Sequence, residues 1–329
     1  MTSLASVRRG EKLKWDVAHR ILILFLFLAS ALAYGQQDQP APAGDPAQSN
    51  ATNTSQLDLQ PDADGALSQE QMQRLFRVVA DKDMENDKRL RDYTYLERDE
   101  EQRLDNKGQV KSTEVKTYDV MELYGEQVQR LIEKDDKPLD AKDAAKEEEK
   151  IQKVIDKRKN ESEEERNKRE KKEEKDREED RKFVREVADA YNFKLIGTEL
   201  VGGREAWVID GEPRPDFVPH MKESKFLTKF RGRVWIDKSD LQLARMDVEC
   251  LDTISWGLFL ARFHKGSRFM LEQTRVNQEV WLPRQLTAKV DVRLALLKNF
   301  NVDVEQSFRD YKKFRATTKI MAVEDLQKK

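Results

Sequence analysis

Apolar side chains in this chain recur with two periods, and the period changes where one kind of element gives way to another. Within residues 68–90, Met72, Leu75, Phe76, Val79 and Ala80 fall at helical spacing, behind Ser68 as a cap and Gln71 three residues on. That pattern predicts an amphipathic helix of about five turns. From residue 91 the apolar residues turn strand-like, over 91–99, 110–123 and 127–134, with joints at 106–108 and 124–126. Joints so short predict antiparallel neighbours, because a parallel crossover needs a dozen or more residues.

The helical period returns at Phe183, Val184, Val187, Ala188 and Tyr191, followed by strand-like runs at 193–200, 205–211, 233–237, 241–251, 268–276, 280–297 and 299–313. Gly202-Gly203, residues 238–240 and Asn277-Gln278 supply hairpin turns. The clearest alternation is Leu286, Ala288, Val290, Val292, Leu294 and Leu296, resumed at Phe300, Val302 and Val304, with Lys289, Asp291, Arg293, Asn301, Asp303 and Glu305 between. One face is apolar and the other wet, as in an antiparallel sheet. About ten strands are too many to lie flat, so the fold class is α+β with a curved antiparallel sheet.

Between these halves, residues 141–182 hold 16 basic and 16 acidic side chains, and from 156 to 182 there is no aliphatic or aromatic one. Glu precedes a basic residue by four at Glu164/Lys168, Glu165/Arg169, Glu173/Arg177 and Glu178/Lys182. Each such pair adds roughly 0.2–0.5 kcal/mol to a helix. The segment predicts one long charged helix inserted into the sheet domain, a solvated rod about 60–70 Å long, without the apolar seam of a dimeric coiled coil.

Residues 203–210 (GREAWVID), 233–246 (RVWIDKSDLQLARM), 265–269 (KGSRF) and 280–283 (VWLP) form a succession that resembles the outer-membrane lipoprotein-sorting superfamily of exported bacterial proteins, the LolA/LolB type. Residues 92–96 (DYTYL) and 107–114 (KGQVKSTE) resemble its first hairpin. The resemblance spans about 200 residues and implies an incomplete antiparallel β-barrel with helices capping its mouth, enclosing an apolar cavity for acyl chains. The charged insertion departs from the family pattern, and none of the family's binding residues is carried over.

The amino terminus reads as an address. Arg8, Arg9, Lys12, Lys14 and Arg20 precede an apolar run from 21 to 33 that ends in Ala31-Leu32-Ala33. A basic segment, a short apolar one and a small-x-small site predict a cleavable signal peptide over 1–33, hence a periplasmic or secreted protein. An uncleaved inner-membrane anchor is the alternative. Residues 34–67 carry four of the nine prolines and almost no bulky apolar side chain, which predicts a disordered tether. The organisation expected is therefore signal 1–33, tether 34–67, first part of the half-barrel 68–140, charged helix 141–186 and second part 187–325.

Composition removes several chemistries. With 61 basic and 63 acidic residues the net charge is −2, without the positive excess that nucleic-acid binding rests on. One cysteine, Cys250, excludes an internal disulfide and a thiolate zinc site. His19, His220 and His264 stand apart, no serine has a nucleophile-elbow context and no phosphate loop occurs, so neither enzyme, metal nor cofactor is expected. The candidate ligand-binding residues are aromatic and aliphatic: Trp207, Trp235, Trp256, Phe259, Trp281 and Leu294, for a cavity or its lid. The expectation is a monomeric, non-enzymatic carrier of a lipid or acylated ligand. A spacer protein that contacts a membrane-associated partner through the charged helix is the alternative.

Overall fold

The computed structural model describes residues 59–313, less 106, 125, 222–223, 257–260 and 295–297. The segments expected to be a signal peptide (1–33) and most of a tether (34–67) lie outside the described residues. No helix among the described residues is long and apolar enough to cross a membrane.

Helix α1 (Gln69–Leu90) begins where the sequence predicts. Ser68 Oγ accepts the Gln71 amide at 3.2 Å and Gln71 Oε1 accepts the Ser68 amide at 3.0 Å, a reciprocal cap that satisfies two otherwise orphan donors. Its stripe buries Met72 and Leu75 completely. Leu59 and Leu67 are buried beside them, so the last residues of the expected tether belong to the packed domain. Two leucines in a polar segment are too few to show as a period, yet each has an apolar wall to meet.

Fourteen strands among the described residues make one mixed-length sheet: β1 (Ala66–Leu67), β2 (Tyr93–Leu104), β3 (Val110–Leu123), β4 (Glu126–Lys134), β5 (Lys137–Pro138), β6 (Tyr191–Val201), β7 (Arg204–Pro213), β8 (Phe230–Asp237), β9 (Leu243–Cys250), β10 (Ile254–Trp256), β11 (Ala261–Phe263), β12 (Arg268–Val276), β13 (Val280–Leu294) and β14 (Lys298–Lys313). The order is β1-β6-β7-β8-β9-β12-β13-β14-β2-β3-β4-β5, with β10 on β11 and β11 on β13. Every pairing is antiparallel, and the sheet does not close into a barrel. The Asn277-Gln278 turn has both residues at positive φ, 49° and 58°, the backbone a two-residue hairpin joint requires.

The charged segment is not one rod. It forms α2 (Ala141–Lys159) and α3 (Glu163–Ala190), separated at Asn160, Glu161 and Ser162. Ser162 caps α3 through the Glu165 amide at 3.2 Å, and Glu161 receives Arg158 and Arg169, each at 2.9 Å, at the corner. Helix α2 is docked: Ile151 and Ile155 are buried against Leu123 and Val128, and Arg130 spans Asp119 and Glu148 at 2.7 and 2.8 Å. Three apolar residues, Ile151, Val154 and Ile155, are enough to seat a helix whose remaining surface is ionic. At its other end α3 lies beside α1, where Gln73 Nε2 donates to Asp189 Oδ1 at 2.6 Å.

Cross-strand partners share a face, so the registers trace side-chain rows across the sheet. One row runs Phe193, Gly211, Gly232, Val248, Phe269, Ala288, Val304, Glu101, Glu114. Its neighbour runs Leu195, Ile209, Val234, Met246, Leu271, Leu286, Gln306, Asp99, Lys116. Both are apolar from β6 to β13; the second turns polar on β14 at Gln306, and the first, after Val304, on β2 at Glu101. The apolar end of this face is the one that α1 and α3 cover.

Candidate functional site

Helices α1 and α3 leave a groove between themselves and strands β6–β9. Phe76, Val79 and Ala80 come from α1, and Phe183, Val184 and Val187 from α3. Tyr191, Phe193, Ile209, Val234, Ile236, Leu243, Met246 and Val248 come from the sheet, with Leu227 and Phe230 at one side. The enclosed part holds about 140 Å³ and continues into open solvent. A dry apolar cavity of about 150 Å³ is known to take up a benzene-sized guest.

The groove's geometry follows from strand alternation. On β7 and β8, Ile209, Gly211, Gly232, Val234 and Ile236 point to the helices, while Val208 and Trp235 point away. Gly211 and Gly232 are direct register partners, which lowers the floor under α3. A glycine in a strand interior weakens the strand and marks a close approach of something else. At one end an aromatic set closes the floor, with Phe193 5.4 Å from Phe76 and 5.9 Å from Tyr191, centroid to centroid. Tyr191 donates its hydroxyl to the Leu227 carbonyl at 2.7 Å, and burial pushes that hydroxyl's pKa up, so it stays a neutral donor.

Along the same face the rows reach a cluster that no sequence period revealed. Glu97 on β2 is 5% exposed. Its Oε2 accepts Gln129 Nε2 at 3.0 Å, and its Oε1 accepts Gln306 Nε2 at 3.3 Å. Gln306 Nε2 also donates to Asp99 Oδ1 at 2.9 Å. Burial, then the nearby Asp99 carboxylate, push the Glu97 carboxyl up to about 8, against a bond from Gln129 that favours the ion. The sequence signal was available: Glu97 and Asp99 continue the inward positions of Tyr93 and Tyr95. Abundant carboxylates elsewhere hid them.

The residues expected from sequence are distributed differently. Trp207 is half-buried on the helix-bearing face and packs on the cluster beneath α1, without lining the groove. Trp235 and Trp281 come together on the opposite face with Ala206, Val208 and Ala244. There Trp235 Nε1 donates to Glu199 at 2.8 Å and Trp281 Nε1 to Asp240 at 2.9 Å, while Arg245 stacks 4.7 Å over Trp235. Trp256 and Leu294 share a backbone row through Ala261, and the described structure stops short of their side chains. Phe259 lies outside the described residues. The groove itself is made by the helical stripes and by the aliphatic strand residues between the tryptophans.

Other candidate chemistry is plain. Cys250 is buried, donates to the Asp252 carbonyl at 2.9 Å, and has its pKa raised by burial. The His220 backbone amide donates to Glu186 at 3.1 Å. No group of three or more His, Cys, Asp or Glu suited to a metal ion occurs among the described residues.

No family model matches the sequence, and no curated protein matches it. Solved structures do align. An outer membrane lipoprotein-sorting protein domain from Vibrio parahaemolyticus is 8% identical, the match covering 77% of this chain and 98% of that one, with a TM-score of 0.31. A LolA superfamily protein from Nitrosomonas europaea is 10% identical, with 76% and 96% covered and a TM-score of 0.28.

Proposed function

We propose that this protein is an exported, non-enzymatic carrier that takes the hydrocarbon part of a lipid or acylated ligand into the groove between α1, α3 and β6–β9. The observation that carries this reading is the groove: an open, almost wholly apolar trough walled by Phe76, Val79, Phe183, Val187 and the aliphatic rows of four strands. Each methylene moved from water into such a trough contributes about 0.8 kcal/mol. Concave apolar sites with few polar groups are where apolar ligands bind. The basic and apolar amino-terminal segment supports export to the periplasm.

Native mass spectrometry of protein purified without detergent, followed by organic extraction, tests the reading. A co-purifying lipid, or a one-to-one complex formed on adding an acyl chain to stripped protein, is the expected result. An empty protein that also rejects added acyl chains overturns it.

A further inference from the structure

Residues 214–229, between β7 and β8, are far more chain than a hairpin turn needs, and they take no part in the sheet. Loops of that length in a packed domain are commonly functional. The first stretch, 214–221 (RPDFVPHM), is largely apolar: Pro215, Val218 and Pro219 are exposed, and Phe217 and Met221 half-buried. Val218 is 70% exposed, while Phe217 packs inward on the cluster beneath α1. Pro215 and Pro219 carry no amide to strip of water. The one acid of the stretch, Asp216, takes two bonds from Arg214, at 3.2 and 2.8 Å. The base is fixed to α3, where the Arg214 amide donates to the Ala190 carbonyl at 2.8 Å and the His220 amide to Glu186 at 3.1 Å.

The second stretch is a short 3-10 helix, Ser224–Lys229. Leu227 walls the groove, and Lys225 is exposed, 4.8 Å over the Phe226 ring. Leu251 donates its amide to the Lys229 carbonyl at 2.8 Å, which ties this helix to the end of β9, and Lys229 binds Asp252 at 2.7 Å. Lys265 stands exposed on the turn before β12, held there by the Gly266 amide on the Cys250 carbonyl at 2.8 Å. From 214 to 231 the described residues carry Arg214, Lys225, Lys229 and Arg231 against Asp216 alone, in a chain whose net charge is −2. Lys225 and Lys265 make no ion pair among the described residues.

We propose that residues 214–221, with Lys225, Lys229 and Lys265, dock this protein on the surface of an anionic phospholipid bilayer. The tip around Val218 enters the interface, and the lysines meet lipid phosphates. Interfacial binding of this kind adds a small buried apolar area to attraction for anionic lipid, and neither alone holds a protein firmly. A protein partner fits less well, because a specific complex buries about 800 Å² on each side and this tip offers only a few side chains. Docking would set a wall of the groove, Leu227, close to the membrane. The proposal goes beyond the carrier reading and does not depend on it, since a protein with an empty groove would dock in the same way.

Vesicle flotation tests it, using the chain from Tyr34 onward, which keeps every described residue and omits the apolar run at 21–33 that would itself seek lipid. The vesicles are phosphatidylcholine alone, or phosphatidylcholine with about a third phosphatidylglycerol. Binding to the anionic vesicles is expected to exceed binding to the neutral ones by at least about tenfold at low salt, and to fall several-fold on adding salt. The double variant Lys225→Glu with Lys265→Glu is expected to lose about tenfold or more of that binding, and Val218→Asp about fivefold. Both variants should keep the wild-type urea midpoint and wild-type uptake of a soluble fluorescent acyl probe, so that docking and groove can each fail without the other. Absence of binding to anionic vesicles, equal binding to both kinds, or anionic binding unchanged in both variants overturns the proposal.

Discussion

Gly211 on β7 and Gly232 on β8 stand directly opposite each other in the antiparallel ladder, and they are glycines for different reasons. A Cβ on Gly211 would come within 3.2 Å of the Phe193 ring, so that position is given up to an aromatic side chain of β6. A Cβ on Gly232 would meet only ordinary contacts at 3.5 Å, from the Asp247 carbonyl and Val248. Room, rather than crowding, is what Gly232 provides.

Replacing it separates stability from binding. Gly232→Ala removes backbone freedom from the unfolded chain and is expected to stabilise the fold by about 0.5–1 kcal/mol. Gly232→Leu projects a branched side chain into the groove, and is expected to abolish uptake of a fluorescent acyl probe while circular dichroism stays that of the folded protein. Undiminished probe binding by the leucine variant would place the ligand elsewhere.

Helix α2 offers a test of docking against free suspension. Ile155 is buried against the β3–β4 hairpin, so Ile155→Ala should cost about 2–5 kcal/mol and appear as a lower urea midpoint. A solvated rod would lose almost nothing from the same change. Hydrogen exchange over 141–159 would show the loss locally.

Burial of neutral Glu97 makes stability depend on pH in a definite direction. Its folded pKa, about 8, lies above the ordinary 4.5, so the folded state keeps a proton that the unfolded state sheds. The contribution is complete below about pH 4.5, declines as pH rises through that window, and is gone above about 8. Glu97→Gln carries no such proton. It is expected to flatten the urea midpoint against pH, and to exceed wild type at alkaline pH by on the order of a few kcal/mol.

Asp237 behaves in the opposite sense. It is 1% exposed and takes two bonds from Arg204, at 2.6 and 2.9 Å, together with the amides of Ser239 and Asp240 at 3.0 and 2.7 Å. Burial alone would raise its pKa, but the guanidinium and the two amides outweigh it and hold the carboxyl below 3.8. Its stability contribution is therefore present above that value and lost as pH falls through the lower folded one. Arg204→Ala strands the carboxylate and should cost about 3–5 kcal/mol, with partial recovery in Arg204→Lys. Thermal melts at neutral pH decide this.

Much of the architecture could be read from alternation and turns, because Phe269 and Leu271 on β12 and Leu286 and Ala288 on β13 are buried while the residues between them are not, and the Asn277-Gln278 turn that joins the two strands demands positive φ. The Ser68 cap and the stripe from Met72 to Ala80 located α1 for the same local reasons. What escaped was decided by partners distant in sequence. Two-residue strands such as Ala66–Leu67 have no period of their own. The break at Asn160 was hidden by a composition that favours helix throughout, although Ile151, Val154 and Ile155 pointed to a docked surface. Tryptophans drew attention by size, yet strand parity turned Trp235 to the face opposite the groove and left the aliphatic Val234 and Ile236 to line it. Parity relative to the helices is a register property, which needs the whole sheet.

The seam between β14 and β2 sets an order of events. Strand β2 has β3 on one side, but its other edge waits for residues 301–313, some two hundred positions later. During synthesis the first hairpin must remain half-paired, edge exposed, until the last described strand has emerged. Assembly is thus dominated by long-range loop closure and is slow, with a window in which that edge can recruit the wrong chain.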